Sequence, residues 1–282
     1  APPGAGSVRG TARFHPREED GSMDAELASV EAEHLDALIC IGGDGTLHAA
    51  SRVAEAGVKI VAIPKTIDND VEGTDLSIGF HTAVNIATEA LDRVHTTAES
   101  HNRVMVVEVM GRHAGWIAVN AGIAGGAEVV LAPEQPFDID QVVKFLRHRH
   151  RAHANFSIVV VAEGAVPREG SSMEFTQQLG RFGEIVAGSI GERVSAEIAE
   201  RTGFDTRLTV LGHVQRGGEP TPTDRILGSR FGVAAVDAVS AGTSGVMTAL
   251  RGERVELVPL AEVAGRPKRV PEELLRVARV LA

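Results

Sequence analysis

Residues 38–46 read Leu-Ile-Cys-Ile-Gly-Gly-Asp-Gly-Thr, and residues 64–70 read Pro-Lys-Thr-Ile-Asp-Asn-Asp. The apolar run Ala37 to Ile41 predicts a buried parallel strand, and Gly42 to Gly45 forms the turn leaving its carboxyl end. Glycines let a phosphate approach the backbone, and the free N–H groups of a helix opened by Thr46 and Leu47 favour an anion. After a short helix and a second strand, Thr66 to Asp70 adds two more carboxylates. Asp44, Asp68 and Asp70 thus lie beside a glycine turn and a helix start, which is the equipment magnesium-dependent phosphoryl transfer requires. Asp68-Asn69-Asp70 alone reads equally well as a polar turn. The strand before it and the glycine turn paired with it weigh toward chemistry.

Composition places the chain among α/β enzymes. With 282 residues, 43% of them hydrophobic, it can bury a substantial core in one large domain or two smaller ones. The formal charge of −10 argues against nucleic acid, so an anionic substrate must be met by local arginines. No tyrosine and one tryptophan leave little for base stacking. The single cysteine, Cys40, lies in the first strand, where burial keeps a thiol inert, and a reducing compartment such as the cytoplasm is expected. No apolar stretch reaches the roughly 20 residues that a membrane span needs.

Strands alternate with helices, the pattern of parallel sheets covered on both faces. Strands are expected at Leu38 to Ile41, Lys59 to Ile63, Arg103 to Val109, Glu128 to Leu131, Phe156 to Ala162 and Thr206 to Leu211. Two more should flank Arg251-Gly252-Glu253. Helical stripes run over Gly79 to Val94, Ile139 to His150 and Glu184 to Glu200, and Pro271 opens a last amphipathic helix. Pro167 to Gly183 reads as a loop.

Two arginine-bearing turns follow strands. Val109-Met110-Gly111-Arg112-His113-Ala114-Gly115 places a glycine where a ligand can approach and an arginine fork for phosphoryl oxygens. Leu211-Gly212-His213-Val214-Gln215-Arg216-Gly217-Gly218 sets His213 and Arg216 three apart, able to hold a phosphate dianion between them. Surface arginines after strands are common, so the Met110–Gly115 turn alone carries even weight for function and for solvation. His148, His150 and His153 alternate with arginines that repel a cation, and Trp116 reads as packing.

The series GGDGT, TIDND, MGRHAG and GHVQRGG resembles the phosphofructokinase family over nearly the whole chain from about Gly4. The resemblance implies an α/β fold of two Rossmann-like parallel-sheet domains. One, residues 1–79 with 215–263, would bind the phosphoryl donor; the other, 80–214 with 264–282, would bind the sugar phosphate. It implies Asp68 as base, with Asp70, Thr66 and Arg112 completing the catalytic set. Donor contacts fall on Arg13, Phe14, Gly43, Asp44, Gly45, Thr46 and Lys65, and Asp44 carries Mg2+. Sugar-phosphate contacts fall on Thr66, Ile67, Asp68, Arg103, Met110, Gly111, Arg112, Glu163, Arg207, His213 and Arg216. Arg103 and Arg207 would come from a neighbouring subunit of a homodimer or homotetramer. The partners implied are fructose 6-phosphate with ATP or pyrophosphate, without nucleic acid or membrane.

Gly45 points to ATP and Lys65 to pyrophosphate; ATP is the favoured reading. The family's opening GGGDxPG segment has no counterpart, and Ser7 to Arg13 resembles a later turn. The first domain is therefore expected to be incomplete, which keeps a non-catalytic truncated homologue open. NAD kinases and lipid kinases share GGDGT but not the other three motifs.

Overall fold

The computed structural model describes residues 22–281 except 153, 174, 176, 177, 180–184 and 188. Arg13, Phe14 and the Ser7 to Arg13 turn lie outside the described residues. In chain order, α1 (Ser22–Ala32), β1 (Leu38–Gly42), α2 (Asp44–Glu55), β2 (Ile60–Thr66) and β3 (Ile78–Gly79) lead into α3 (Phe80–His101). Next come β4 (Val104–Val109), α4 (Trp116–Ala124), β5 (Val129–Leu131), α5 (Ile139–Arg151) and β6 (Ser157–Ala162). The short strands β7 (Gln178–Leu179) and β8 (Ile185–Ala187) precede α6 (Ile190–Thr202), β9 (Thr206–Val210) and a 3-10 turn over Gly212–Arg216. The remaining elements are α7 (Pro222–Ser240), β10 (Val246–Arg251), β11 (Arg254–Pro259), α8 (Leu260–Val263) and α9 (Glu272–Leu281).

The chain divides into two compact units. The first contains the described residues through Thr82 together with Glu219–Lys268. Its sheet has the order β1-β2-β10-β11, with β3 beside β2; β1, β2 and β10 are parallel and β11 returns antiparallel to β10. Alternate residues of β2 point to opposite faces. Ile60 and Ala62 join Leu47, Val53 and Leu260 under α2 and α8, while Val61 and Ile63 join Leu227 and Phe231 under α7.

The second unit, Ala83–Gly218 with the residues from Arg269 onward, has an all-parallel sheet in the order β5-β6-β4-β9. Every residue of β4 and β6 is buried, the signature of parallel strands covered on both faces. Val106, Val159 and Val161 pack with Ile139, Leu146, Ile190 and Ile198 of α5 and α6, and a separate cluster joins Val119 to Leu275 of α9.

Several sequence expectations need correction. β1 is an edge strand, not a buried one: Ile39 and Ile41 are 39% and 59% exposed because a neighbour pairs on one side only among the described residues. The helix after the glycine turn begins at Asp44 rather than Thr46, with Gly43 as N-cap. The helix expected from Glu184 begins at Ile190, where the Ser189 hydroxyl accepts from the Glu192 N–H at 3.1 Å. Ile185–Ala187 instead forms a strand paired with Gln178–Leu179, inside what had read as loop and helix. The stripe from Gly79 continues to His101. Among the described residues no helix is long and apolar enough to cross a membrane.

Within the first unit, Asp224 anchors the start of α3. Its carboxylate is 3% exposed and accepts from the N–H of Gly79 at 2.9 Å and of Thr82 at 2.8 Å, and from the Thr82 hydroxyl. Three donors converging on one buried carboxylate make this a helix-start anchor with no solvent substitute. Asp224→Ala should lower unfolding free energy by about 3 kcal/mol, read from urea denaturation; a loss within experimental error would show that water replaces the carboxylate.

Candidate active site

In the first unit, β1 and β2 run parallel with Gly42 opposite Pro64, so both turns leave the same sheet edge. Gly43 packs so closely on Thr66 that an added Cβ would lie 3.2 Å from the threonine Cβ. Asp44, first residue of α2, accepts from the Gly265 N–H at 3.0 Å through Oδ1. Gly45, Thr46 and Lys65 are exposed, whereas Thr66, Ile67 and Asp68 are half-buried. The structure thus gathers Gly43, Asp44, Gly45, Thr46, Lys65, Thr66, Ile67, Asp68 and Asp70 at the carboxyl edge of one sheet.

The Thr66–Asp70 turn is fixed from inside. The Asp68 N–H donates to Thr66 Oγ1 at 3.2 Å. Asn69 has φ 51° and is 1% exposed. This left-handed conformation is one that asparagine tolerates better than most residues. Its Oδ1 accepts from the Ser77 N–H at 2.9 Å, its Nδ2 donates to the Asp75 carbonyl at 3.2 Å, and the Ser77 hydroxyl closes back on the Thr66 carbonyl at 2.8 Å. Lys268, unremarkable in the sequence among neighbouring arginines, donates through Nζ to the carbonyls of Thr74 and Asp75, each at 2.8 Å.

Electrostatics in this unit are tense. Burial, followed by the like charges of Asp68 and Asp44, raises the Asp70 carboxyl to about 6, while a backbone hydrogen bond and the Lys268 ammonium oppose the rise. Burial lowers Lys268 to about 8 against the pull of Asp75, Glu72 and Asp70. Among the described residues no three ligating side chains cluster as a protein cage for a metal. One carboxylate such as Asp44, in a field that Asp68 and Asp70 also make negative, suits a magnesium that brings most of its ligands as water and donor phosphate.

In the second unit, the ends of β6, β4 and β9 form a braced row. The Glu163 N–H donates to the Val109 carbonyl at 2.9 Å, Gly164 N–H to the Gly111 carbonyl at 3.1 Å, and Leu211 N–H to the Glu108 carbonyl at 3.0 Å. Gly111 has φ 131°, and a Cβ on Gly164 would stand 1.9 Å from the Arg112 carbonyl oxygen, so neither position admits a side chain. Arg112 donates from Nε to His113 Nε2 at 2.9 Å. Glu134, missed in the sequence, accepts from the N–H of Gly115 and of Val270, each at 3.0 Å through Oε1, and so ties the MGRHAG turn to the segment before α9. Met110, Gly111, Arg112, Glu163, His213 and Arg216 therefore share the carboxyl edge.

Arg103 and Arg207 do not join them. Arg103 precedes β4 and Arg207 is the second residue of β9, so both stand at the opposite, amino edge. There Asp205 bridges them, with Oδ2 2.7 Å from Arg103 Nε and Oδ1 2.8 Å from Arg207 Nη1. The Arg103 bond first, with both guanidinium charges, holds Asp205 below the ordinary carboxylate range. No sequence signal marked Asp205 as a partner of both arginines.

Away from these edges, Cys40 is half-buried against the α2-side core, which pushes its thiol up. Trp116 packs beside Val119 and Leu275. The His150 ring lies 4.5 Å from Phe204, and His153 is outside the described residues.

The family model for phosphofructokinase matches residues 3–239. Over 276 residues the chain is 50% identical to a pyrophosphate–fructose 6-phosphate 1-phosphotransferase of Amycolatopsis methanolica, covering 98% of this chain and 80% of the relative. Over 268 residues it is 48% identical to an ATP-dependent 6-phosphofructokinase of Corynebacterium efficiens, covering 95% and 78%. A Saccharomyces cerevisiae phosphofructokinase structure superposes with TM-score 0.77 at 31% identity over 92% of this chain and 36% of that one. Fold and site define an enzyme of the kinase type, a phosphotransferase. The chain belongs to the phosphofructokinase family. That membership sets aside the NAD-kinase and lipid-kinase readings of GGDGT.

The raised Asp70 value carries a sign. Between the ordinary value of 3.8 and about 6 the folded chain binds the extra proton, so the ionised carboxylate costs stability fully above that window and not at all below it. Asp70→Asn should therefore raise unfolding free energy near pH 7.5 by up to about 3 kcal/mol, with the gain vanishing toward pH 4. Urea denaturation at both pH values checks this, and a gain that does not depend on pH would contradict it.

Proposed function

We propose that the chain is a 6-phosphofructokinase of the cytoplasm, transferring the terminal phosphoryl group of ATP to the 1-hydroxyl of fructose 6-phosphate in glycolysis. The observation that carries the reading is the Thr66–Asp70 turn, braced internally and packed against the Gly42–Asp44 turn in a member of this family. Asp68 takes the proton of the attacking hydroxyl as the new P–O bond forms, and ADP leaves with the electrons of the bond that breaks. Asp70 polarises the same region, Thr66 hydrogen-bonds the transferring group, and Arg112 stabilises charge on its oxygens. Gly43, Gly45, Thr46 and Lys65 receive the donor phosphates. Asp44 would hold the magnesium they carry, whose contribution is to neutralise charge on those phosphates.

Glu163 accepts from sugar hydroxyls, Met110 and Gly111 shape the pocket, and His213 with Arg216 grips the 6-phosphate. The amino-edge position of Arg103 and Arg207 supports their assignment to the sugar-phosphate site of a neighbouring copy in a homodimer or larger homo-oligomer.

Gly45 supports ATP as donor. It is exposed in the first turn of α2 and has no side chain to crowd the α-phosphate. Lys65 supports a second reading, pyrophosphate, by adding charge near the donor without excluding a nucleotide. Relatives of both donor types stand at 48–50% identity, so overall similarity does not choose between them.

A coupled assay with fructose 6-phosphate and either ATP or pyrophosphate tests the donor; turnover with pyrophosphate alone would overturn ATP. Gly45→Asp should then shift preference toward pyrophosphate, since a carboxylate repels the α-phosphate. Asp68→Ser should lower turnover by about a thousandfold while fructose 6-phosphate binding is kept, because a base acts in the transition state. Near-parental turnover in that variant would remove Asp68 from the role.

A further inference from the structure

The Met110-Gly111-Arg112 turn is held on two sides by different means. Toward β6 the ties are main-chain bonds, Gly164 N–H to the Gly111 carbonyl and Glu163 N–H to the Val109 carbonyl. Toward β9 the main-chain tie ends three residues before Gly111, where the Leu211 N–H meets the Glu108 carbonyl. Beyond that point the Met110 N–H is satisfied by a side chain, Gln215 Oε1 at 2.8 Å. Gln215 lies in the same 3-10 turn as His213 and Arg216 and is 1% exposed, whereas both of those neighbours are exposed. One amide thus joins the turn carrying Arg112 to the turn carrying His213 and Arg216.

We infer that Gln215 is a positioning residue for the sugar-phosphate pocket, setting the spacing between the Met110–Arg112 turn and the His213–Arg216 phosphate grip. This rests on the sugar-phosphate reading of those residues. The bond to Met110 fixes the amide's orientation, with Oε1 as the acceptor. Its Nε2 is then buried with no hydrogen-bond partner among the described residues. A buried amide donor without an acceptor is unfavourable and offsets what Oε1 contributes by satisfying the buried Met110 N–H, so the net gain in fold stability from glutamine here is small. An apolar residue of similar length would fill the space and exchange the unpaired Nε2 for an unpaired Met110 N–H, with little net change in stability. It would also leave the two turns free to drift, and a drift of about 1 Å is enough to spoil a ligand that touches both.

The test separates one end of the pocket from the whole. Inorganic phosphate, used as a probe of the His213–Arg216 grip alone, should bind Gln215→Met as it binds the parent. Fructose 6-phosphate, which spans both turns, should bind about tenfold or more weakly, with the thermal midpoint unchanged. Calorimetric titration of the full chain measures both ligands without requiring turnover. Equal fructose 6-phosphate affinity in parent and Gln215→Met would overturn the inference, as would a parallel loss of phosphate and sugar-phosphate binding. Should Gln215→Met fail to fold, Gln215→Asn keeps the amide but is one methylene too short to reach Met110, and the same split is expected. Failure of both variants to fold makes Gln215 a stability residue and overturns the inference. A parent that takes no fructose 6-phosphate overturns the functional reading itself, an outcome distinct from a variant that binds as well as its parent.

Discussion

Burial of the Asp70 carboxyl in the field of Asp68 and Asp44 is the constraint around which the Thr66–Asp70 turn is organised. A carboxyl that burial and two like charges raise to about 6 is costly to ionise, and an unsupported turn would relax by swinging it into water. The surroundings oppose that escape. Asn69 anchors the middle of the turn, Ser77 closes the loop onto Thr66, and the Lys268 ammonium fastens the loop at the carbonyls of Thr74 and Asp75. The stored repulsion is useful where cationic charge is to be received, since binding a cation relieves it.

The second unit solves a different problem with the same architecture. Parallel strands deliver all their outgoing turns to one edge, so side chains far apart in sequence become neighbours without long loops. Each outgoing turn must still be held at a chosen distance from the next. Between β6 and β4 this is done by backbone, and glycine at 111 and 164 is what allows the approach. Beyond the paired part of β4 and β9 the link between the outgoing turns is made by the Gln215 side chain. Glu134 adds a third hold from the far side of the MGRHAG turn.

Parallel order also explains why one pair of arginines behaves differently from the rest. Arg112 and Arg216 follow their strands, whereas Arg103 and Arg207 precede or open theirs, and strand polarity separates the two groups by the length of β4, roughly 20 Å at about 3.3 Å per residue. The amino-edge pair is bridged by one carboxylate, Asp205, with each guanidinium ion-paired to a different oxygen of it.

Much of this was legible in the chain. Alternation of apolar runs with amphipathic stripes predicted the parallel sheets, and the glycine turns after strands marked the edges where the candidate residues gather, because both signals are local. Asp44, Arg112, His213 and Arg216 stood out by residue type beside glycine, and Asp68 by its place in a polar turn after a strand. Burial of β1 did not follow from its apolar sequence, since which strand lies at an edge depends on pairing rather than composition. The start of α6 at Ile190 was set by the Ser189 cap, which competes with a helical stripe that sequence alone extends further. Lys268, Asp205, Glu134 and the bracing bond of Gln215 were silent for a common reason. Each acts across 50 or more residues of sequence or through a backbone group with no identity of its own, and only the folded chain brings such partners within about 3 Å. The sequence by itself determined the chemistry available; tertiary structure decided which charges share a field, which strand ends meet, and which arginines face away, because distance and polarity exist only once the sheet has formed.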